Sequence, residues 1–434
     1  MQIQTSEFRD RRWQLMQQLP DNSLVLLPAA QELIRNNDAE YPFRQNSDFW
    51  YLTGFNEPDA WLAIKKQQQA VQYSLFVRSK DPQMEIWTGY RAGPQGAIEQ
   101  FAADQAFELS QLQAQMPGLL SGVEHLVLPM TAEVLNRVQP WITQQQKQVR
   151  RGVSWPMQWH ELGQFLHEMR LIKSEPEIAL LRKAAEISSQ AHIQAMRACP
   201  QLEWEYQLEA ELQYQFMRSG ARSPAYNSIV GSGNNACVLH YIENNQALKP
   251  GDLVLIDAGA EYQNYAGDIT RTFPVRGKFS AAQRDLYQIV LTAQKAAIDQ
   301  LQPGKGCKDF DQAAVRVLTQ GMIDLGLLKG SLDGLIESLA YKRYYMHGTG
   351  HWLGLDVHDM GAYKVKGEWR PLQPGMVTTV EPGLYISAQD QQAPEALRGL
   401  GIRIEDDILI TEHGHENLTA CCPKEIADIE QLMN

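Results

Sequence analysis

Two aspartates occupy comparable positions in residues 253–274, which read LVLIDAGAEYQNYAGDITRTFP. Asp257 ends one short apolar run, Asp268 precedes another, and the Gln-Asn pair between them is typical of a hairpin turn. A turn centred on Tyr262 and Gln263 would place the two aspartates directly opposite each other. Like charges at that separation destabilise a strand pair. The sequence therefore predicts something that offsets the repulsion: a shared proton, an arginine or a metal cation.

A glycine-rich segment, MHGTGHWLGLDVHD, contains three histidines within a span of twelve residues. A lone histidine is more often structural than a ligand, but the glycines around this group let the backbone approach other groups closely. So many glycines also argue against a regular helix, and hence against the helical HExxH zinc pattern. His347, His351 and His358 are therefore candidates for a functional site.

Two further carboxylates lie at or near the ends of apolar runs. Glu381 follows VTTV and precedes Pro-Gly, which marks the end of a strand. In GIRIEDDILI, alternation places Arg403, Glu405 and Asp407 on one face of a strand. Taken alone, Arg403 and Glu405 fit an ordinary solvent-exposed ion pair equally well.

Four converging carboxylates and one imidazole indicate metal chemistry. Such a set is untenable in a partly buried site unless cations neutralise it, and two divalent ions carry enough positive charge to do so. Oxygen-rich ligands with one imidazole suit manganese better than a metal that prefers thiolates. Two ions with a bridging water would generate hydroxide near neutral pH for hydrolysis. The absence of a GxxxxGK[ST] phosphate loop from the sequence favours an acyl centre over a phosphoryl one.

The elements that must position these residues begin with an N-terminal region, residues 1–170. Strand-like and helical runs alternate there, which predicts an α/β domain. The helical pattern over 131–146 is predicted to be interrupted at Pro140. Strand patterns cover 23–30, 59–66, 73–78 and 125–129.

A second region, residues 171–434, begins with a different pattern. Ser174 and Glu177 form a capping box with a proline between them, which predicts a long helix that ends by Pro200. We expect the rest to form a curved antiparallel sheet covered by helices. Helical patterns cover 203–219, 280–301 and 308–327, and strand patterns cover 376–386 and 401–411.

Composition narrows the class of protein. The 434 residues are 44% hydrophobic with a formal net charge of −12, which argues against a nucleic-acid partner. No apolar run in the sequence is long enough to predict a membrane span. The five cysteines are scattered without CxxC spacing, so the sequence predicts neither a disulfide framework nor a thiolate zinc site. A reducing cytoplasm is the predicted compartment.

Several segments resemble a known family. IDAGAEYQNYAGDITRTF, HGTGHWLGLDVHD, TTVEPGLY and GIRIEDD resemble the metal-ligand motifs of the pita-bread metallopeptidases. NDAEYPFRQNSDFWYLTGFNEPDA and YNSIVGSGNNACVLHY are similar to the aminopeptidase P group of that family. The resemblance implies an α/β N-terminal domain over 1–170, serving oligomerisation and substrate access. It implies an α+β pita-bread catalytic domain over 171–434.

The resemblance also implies a role for each site residue. Two divalent metal ions, assigned as Mn²⁺, would be held by five ligands, with Asp268 and Glu405 bridging both ions. His240 and His358 would bind the substrate and stabilise the tetrahedral intermediate, and His347 would be a further active-site histidine. The five implied ligands are Asp257, Asp268, His351, Glu381 and Glu405.

Five more residues are implied at the edges of the site. Arg403 would orient a ligand carboxylate, and Tyr385 would hydrogen-bond near the metal bridge. Trp87 would reach the site of a neighbouring subunit in a homotetramer. Asp38 and Arg370 would make contacts that span subunits.

The implied activity is removal of the N-terminal residue from peptides with proline at the second position. A metal-bridging hydroxide would attack the Xaa-Pro carbonyl, and Glu381 would carry the proton to the prolyl nitrogen. One alternative is a prolidase, which cleaves Xaa-Pro dipeptides and has similar ligand motifs. The other is a catalytically inactive pita-bread module that binds peptides or proteins.

Overall fold

The computed structural model describes residues 3–434. The chain divides into two compact units between Met169 and Arg170, called here the N-terminal unit and the C-terminal unit. No helix among the described residues is both long enough and apolar enough to cross a membrane.

The N-terminal unit alternates strands and helices as predicted. Its strands are β1 (Ser23–Pro28), β2 (Ile34–Asn36), β3 (Ala39–Glu40), β4 (Trp61–Gln67), β5 (Ala70–Val77), β6 (Gln105–Glu108), β7 (His125–Leu128) and β8 (Gln158–Glu161). The helices of this part of the chain are α1 (Thr5–Gln18), α2 (Ser47–Thr53), α3 (Pro82–Thr88), α4 (Gly93–Phe101), α5 (Leu112–Leu120), α6 (Ala132–Gln146) and α7 (Gly163–Leu171).

Six of these strands form one mixed sheet in the order β6-β5-β4-β1-β7-β8. The four predicted strands correspond to β1, β4, β5 and β7, which lie at its centre. The predicted interruption at Pro140 is wrong, because α6 continues through it. Its apolar face, which includes Val134, Val138 and Trp141, packs in the core of the unit. That burial outweighs the loss of one helical hydrogen bond.

The C-terminal unit combines short strands with longer helices. Its strands are β9 (Ser223–Pro224), β10 (Ile229–Ser232), β11 (Leu253–Asp257), β12 (Ala260–Tyr262), β13 (Tyr265–Ala266), β14 (Thr270–Pro274), β15 (Lys364–Val365), β16 (Glu368–Trp369), β17 (Val377–Val380), β18 (Gly383–Ile386), β19 (Leu400–Arg403), β20 (Asp406–Thr411) and β21 (Gly414–Asn417). Its helices are α8 (Glu175–Ala198), α9 (Glu205–Arg218), α10 (Ala281–Ile298), α11 (Asp309–Asp324), α12 (Leu332–Glu337) and α13 (Ile426–Met433).

Antiparallel pairing joins these strands into small groups. The orders are β10-β11-β14, β13-β12-β9 and β17-β20-β21, with the pairs β18-β19 and β15-β16. The helix predicted from the capping box is α8, where the Glu177 carboxylate accepts the Ser174 N–H at 3.0 Å. Side chains of α8, α9, α10 and α11 pack with those of β11 and β14 in one apolar core. This core holds the strand ends that carry the candidate site.

The hairpin that carries the two aspartates turns at Gln263 and Asn264, one residue later than predicted. Both residues have positive φ, 49° and 68°, as a tight two-residue hairpin turn requires. Asp257 consequently pairs with Thr270, so the predicted direct opposition to Asp268 is wrong. The pairing moves by an even number of residues, which keeps each side chain on its predicted face.

Two predicted strands are each divided by a ligand candidate. The pattern over 376–386 forms β17 and β18, with Glu381 between them. The pattern over 401–411 forms β19 and β20, with Glu405 between them. Each interruption frees a carboxylate from the regular alternation of a strand, which a pattern of apolar residues does not reveal.

Candidate metal centre and active site

A cavity of about 600 Å³ in the C-terminal unit collects most of the predicted site residues. Apolar side chains and polar groups line it together, as is usual for a small-molecule site. The apolar part includes Ile229, Leu239, Ile242 and Val357. The predicted residues that line it are His240, Asp257, Asp268, His347, His351, His358, Glu381, Arg403 and Glu405.

The two aspartates meet at a tyrosine hydroxyl. Tyr226 Oη lies 2.5 Å from Asp257 Oδ1 and also contacts Asp268 Oδ1. Arg403 Nη2 donates to the other oxygen of Asp257 at 2.7 Å. Gly259 makes this approach of the strands possible, because a Cβ there would lie 1.7 Å from the carbonyl oxygen of Gly267.

His351 is aimed at the carboxylates by its own backbone. Its Nδ1 lies 3.0 Å from the carbonyl oxygen of Trp352, so Nδ1–H donates and, in the neutral ring, the lone pair that can bind a metal is on Nε2. Nε2 lies 3.4 Å from Asp268 Oδ2 and 3.6 Å from Glu381 Oε1. The glycine before His351 is needed, since a Cβ at Gly350 would lie 2.0 Å from a carbonyl oxygen of β17.

Glu405 completes the cluster. Its Oε2 accepts a hydrogen bond from Thr270 Oγ1 at 2.7 Å. One donor atom from each of Asp268, His351 and Glu405 lies within 4.8 Å of the others. Both Arg403 and Glu405 are buried, so the reading of this pair as a solvent-exposed ion pair is wrong.

Burial and mutual repulsion disfavour the ionised forms of the carboxylates in this cluster. Burial, followed by repulsion from Asp268, raises the pKa of Glu405 well above its ordinary value. Burial also raises the pKa of Asp268, and it raises that of Glu381 to about 7. Burial alone would lower the pKa of His351, but Asp268 and Glu381 outweigh it and raise the value to about 9. The carboxylate shifts come first from burial and then from mutual repulsion, both of which a nearby cation would offset.

This donor set fits divalent cations. Several carboxylate oxygens and one imidazole nitrogen converge without a thiolate, which suits manganese or another hard or borderline ion. A cation in their midst would offset both the burial and the mutual repulsion of the carboxylates. Membership of a metal site therefore accounts for a cluster that is otherwise unfavourable.

A second hydrogen-bonded group borders the cluster. His347 Nε2 and the Tyr385 hydroxyl lie 2.7 Å apart, and Arg403 Nη1 donates to that hydroxyl at 3.0 Å. Burial and the nearby Arg403 lower the pKa of His347 to about 4. The His358 ring packs edge-on against His351, with centroids 4.3 Å apart. His240, His347 and His358 thus all face the cavity that holds the carboxylates.

Four predicted residues do not line this cavity. One of them, Tyr385, lies beside it and is hydrogen-bonded to His347. The other three lie elsewhere. Trp87 and Asp38 belong to the N-terminal unit, where both side chains are exposed. Arg370 is buried in the C-terminal unit, and its Nε donates to the carbonyl oxygen of Ala362 at 2.7 Å. Their predicted contacts between subunits stay predictions.

Tyr226 and Asp407 are site residues that the sequence patterns did not single out as functional. Asp407 Oδ2 accepts the backbone N–H of Asp268 at 3.1 Å and so fixes that aspartate. Tyr226 lies far from both aspartates in sequence and has no spacing that marks it. Its position in the segment YNSIVGSGNNACVLHY was the single available signal.

Comparison with known proteins identifies the family. Residues 179–412 match Metallopeptidase family M24, and residues 8–128 match the N-terminal domain of aminopeptidase P. The chain belongs to metallopeptidase family M24. This membership confirms the predicted metal-dependent peptidase, with an α/β N-terminal domain and a pita-bread C-terminal domain.

Relatives of this M24 chain are similar over nearly their whole lengths. The Xaa-Pro aminopeptidase of Haemophilus influenzae is 47% identical over 428 residues, which cover 99% of this chain and 97% of that protein. Pseudomonas aeruginosa aminopeptidase PepP is 48% identical with a TM-score of 0.97, covering 100% of this chain and 98% of that one. Zinc-substituted Escherichia coli aminopeptidase P, solved in complex with product, is 47% identical with a TM-score of 0.97, covering 100% and 99% respectively.

Proposed function

We propose that this chain releases the N-terminal residue from peptides whose second residue is proline. The observation that carries the proposal is the convergence of four carboxylates and one imidazole in a single cavity. The full-length likeness to an Xaa-Pro aminopeptidase supports the substrate class. The metal ligands in this proposal are Asp257, Asp268, His351, Glu381 and Glu405.

Bound at these ligands, two divalent ions would supply Lewis-acid charge and lower the pKa of a water molecule towards neutrality. Neighbouring residues orient the ligands that would hold these ions. Arg403 and Tyr226 fix the two oxygens of Asp257, and the Trp352 carbonyl fixes the His351 ring. Such partners keep each ligand in one orientation before any ion binds.

Proton transfer and charge stabilisation fall to side chains around the cluster. Glu381 accepts a proton from the attacking water and delivers it to the prolyl nitrogen. His240 and His358 donate hydrogen bonds to the carbonyl oxygen as negative charge develops there, a contribution of several kcal/mol in comparable sites (about 3 kcal/mol per donor). His347, Tyr385 and Arg403 form the hydrogen-bonded wall beside them.

Selectivity follows from the two ends of the scissile bond. The free α-amino group of the substrate contacts the Asp257 side of the cluster, which restricts cleavage to the first residue. The prolyl nitrogen carries no N–H, so peptidases that bind this N–H as a donor do not accept the bond. The apolar part of the cavity accommodates the pyrrolidine ring and the first side chain.

The two alternatives make different demands on the chain. An inactive binding module has no need of a complete ligand set, whereas all five ligand types are present here. A prolidase would act on dipeptides, whereas the Haemophilus influenzae and Pseudomonas aeruginosa relatives, which match both regions of this chain, carry the aminopeptidase name. These observations favour the aminopeptidase.

We expect the purified chain to hydrolyse Xaa-Pro-Yaa tripeptides when supplied with Mn²⁺ and to lose this activity after chelation. Released amino acid is measured by chromatography during a metal titration. Xaa-Ala-Yaa serves as the control for proline selectivity, and Xaa-Pro separates a prolidase from an aminopeptidase. Activity that survives complete metal removal would exclude the two-metal proposal.

We further propose Mn²⁺ as the resident metal, the cytoplasm as the compartment and a homotetramer as the working assembly. The oxygen-rich ligand set supports manganese. Exposed apolar side chains on and beside α3, including Trp87, support an interface between subunits. In that assembly Trp87, Asp38 and Arg370 make the contacts that span subunits.

A further inference from the structure

Glu205, at the start of α9, is a fully buried carboxylate. Its Oε1 accepts hydrogen bonds from the Ser232 N–H and hydroxyl, both at 2.7 Å, and from Asn235 Nδ2 at 3.2 Å. Its Oε2 accepts from the Tyr241 hydroxyl at 2.8 Å and from the Gln246 N–H at 2.9 Å. Burying a carboxylate is costly unless donors surround it. Here all of these donors come from a single stretch of the chain.

The donors lie in residues 232–246, and the second part of this stretch has no regular secondary structure to hold it. Residues 238–246 form neither a helix nor a strand, so their polar groups need other partners. Gln246 is paired with Glu205 twice, because the Glu205 N–H also donates to the Gln246 carbonyl at 3.0 Å. Burial and the bond to Glu205 raise the pKa of Tyr241 to about 12, so its phenol remains a donor at neutral pH.

Glu209, one helical turn further along α9, holds the same stretch at a second point. Its Oε2 accepts Asn244 Nδ2 at 2.8 Å. The Asn244 amide also donates to the Ser228 carbonyl and accepts the Val230 N–H, each at 2.9 Å. Asn244 has a φ of 48°, a left-handed conformation that asparagine tolerates. Together these contacts fix the backbone that follows His240.

His240 immediately precedes Tyr241 and lines the cavity that contains the carboxylate cluster. We propose that Glu205 is a positioning residue for His240, which it holds in register with the substrate carbonyl through Tyr241 and Gln246. The inference rests on the proposed function, in which His240 donates to that carbonyl. Glu205 acts only through His240, because its own oxygens are occupied by the donors of the stretch.

A double-mutant cycle tests this coupling in the full-length chain loaded with Mn²⁺. Glutamine at 205 preserves size but turns one acceptor into an amino group, so a backbone N–H loses its partner. We expect Glu205→Gln to lower kcat for an Xaa-Pro-Yaa tripeptide by about 10- to 100-fold, with bound metal unchanged by elemental analysis. In a His240→Ala background the same change should lower kcat by less than about twofold, because coupled residues are not additive.

Thermal stability supplies the contrasting readout. The fall in melting temperature caused by Glu205→Gln should be the same in the unmodified chain and in the His240→Ala background. The hydrogen bonds around Glu205 do not include the His240 imidazole. Glu211→Gln, on the same helix α9, is the matched control and should leave kcat unchanged. If Glu205→Gln does not fold, Tyr241→Phe removes a single donor and takes its place in the cycle.

The outcomes separate this inference from the proposed function. Losses of kcat that multiply in the double variant, or loss of metal from Glu205→Gln, would overturn the positioning role alone. A His240→Ala variant as active as the unmodified chain would overturn the role of His240 and the inference with it. Failure of the unmodified chain to cleave the tripeptide would instead overturn the proposed function.

Discussion

Tyr226 shows how a single hydroxyl group can organise a cluster of charges. A phenol has one proton to donate, yet its oxygen contacts carboxylate oxygens of both Asp257 and Asp268. Burial and those two carboxylates raise the pKa of Tyr226 well above its ordinary value, which keeps the proton in place. One of the two contacts is therefore a hydrogen bond, and the other carboxylate oxygen needs a different positive partner.

Tyr226→Phe and His358→Ala should separate ligand support from substrate stabilisation. Removing the Tyr226 hydroxyl frees two ligand candidates, so we expect metal affinity to fall by about 10- to 100-fold. His358→Ala removes a donor beside the cluster, so kcat should fall by about 100-fold with metal content unchanged. Metal content by elemental analysis and kcat at saturating Mn²⁺ are the measurements.

The reverse pattern would assign the two residues differently. If His358→Ala loses the metal, His358 is a ligand rather than a substrate-binding group. If Tyr226→Phe keeps full metal affinity but loses activity, its hydroxyl acts on the substrate. If the assignment above is correct, saturating Mn²⁺ should restore activity to Tyr226→Phe but not to His358→Ala.

At the scale of elements, the segment that carries His358 is fixed by buried charges. Asp359 is buried against Lys173, whose Nζ lies 3.1 Å from Oδ2, and against Arg170, which contacts Oδ1. Burial alone would raise the pKa of Asp359, but the two cations outweigh it and hold the value below its usual range. The segment from the end of α7 to the residue before the N-cap of α8 is joined in this way to the loop after His351.

Asp359→Asn should lower the free energy of unfolding by about 3 kcal/mol at pH 7, because Lys173 and Arg170 each lose a buried carboxylate partner. The folded state depresses this pKa, so the stabilisation is complete above about pH 4 and is lost as pH falls through the lowered value. Denaturant unfolding at pH 7 and at lower pH measures the difference, which should shrink on acidification.

Glu416→Gln is the matched control for a charge pair at the surface. Arg182 and Glu416 lie 2.7 Å apart, with side chains 44% and 40% exposed. Solvent screening reduces such a pair to less than about 1 kcal/mol. An equal cost for the two variants would show that burial adds nothing to the Asp359 cluster.

At the scale of the whole molecule, the formal net charge of −12 contrasts with a local apolar surface. Ile86, Trp87 and Tyr90 are 83%, 84% and 94% exposed on and just after α3. Large apolar side chains grouped in this way mark interaction sites more often than isolated ones do. A second copy of the chain is the partner that the proposed homotetramer requires.

Trp87→Ala should reduce both the mass of the assembly and its activity on tripeptides. An exposed tryptophan at an interface commonly contributes about 2 kcal/mol or more to association. Light scattering coupled to size exclusion gives the mass, and the tripeptide assay gives kcat/KM. Trp13→Ala, at another exposed tryptophan, is the control. An unchanged mass and activity in Trp87→Ala would exclude the sharing of sites between subunits.

The sequence by itself determined the chemistry of this protein and the types of its elements. Apolar runs interrupted by single charged residues identified β11, β14, β17 and β20, and the capping box identified α8. Four carboxylates that converge in a partly buried site then predicted cations to neutralise them. These inferences needed only local composition and spacing.

The tertiary structure alone decided the register and the partners. A two-residue turn at Gln263 and Asn264 set the pairing of Asp257, because φ values at a turn depend on the whole hairpin. Tyr226 and Glu205 reach their partners across long separations in sequence, and no local pattern records such contacts. Tertiary packing makes Glu405 a buried member of the cluster rather than a surface charge, because exposure depends on all the elements packed around a residue.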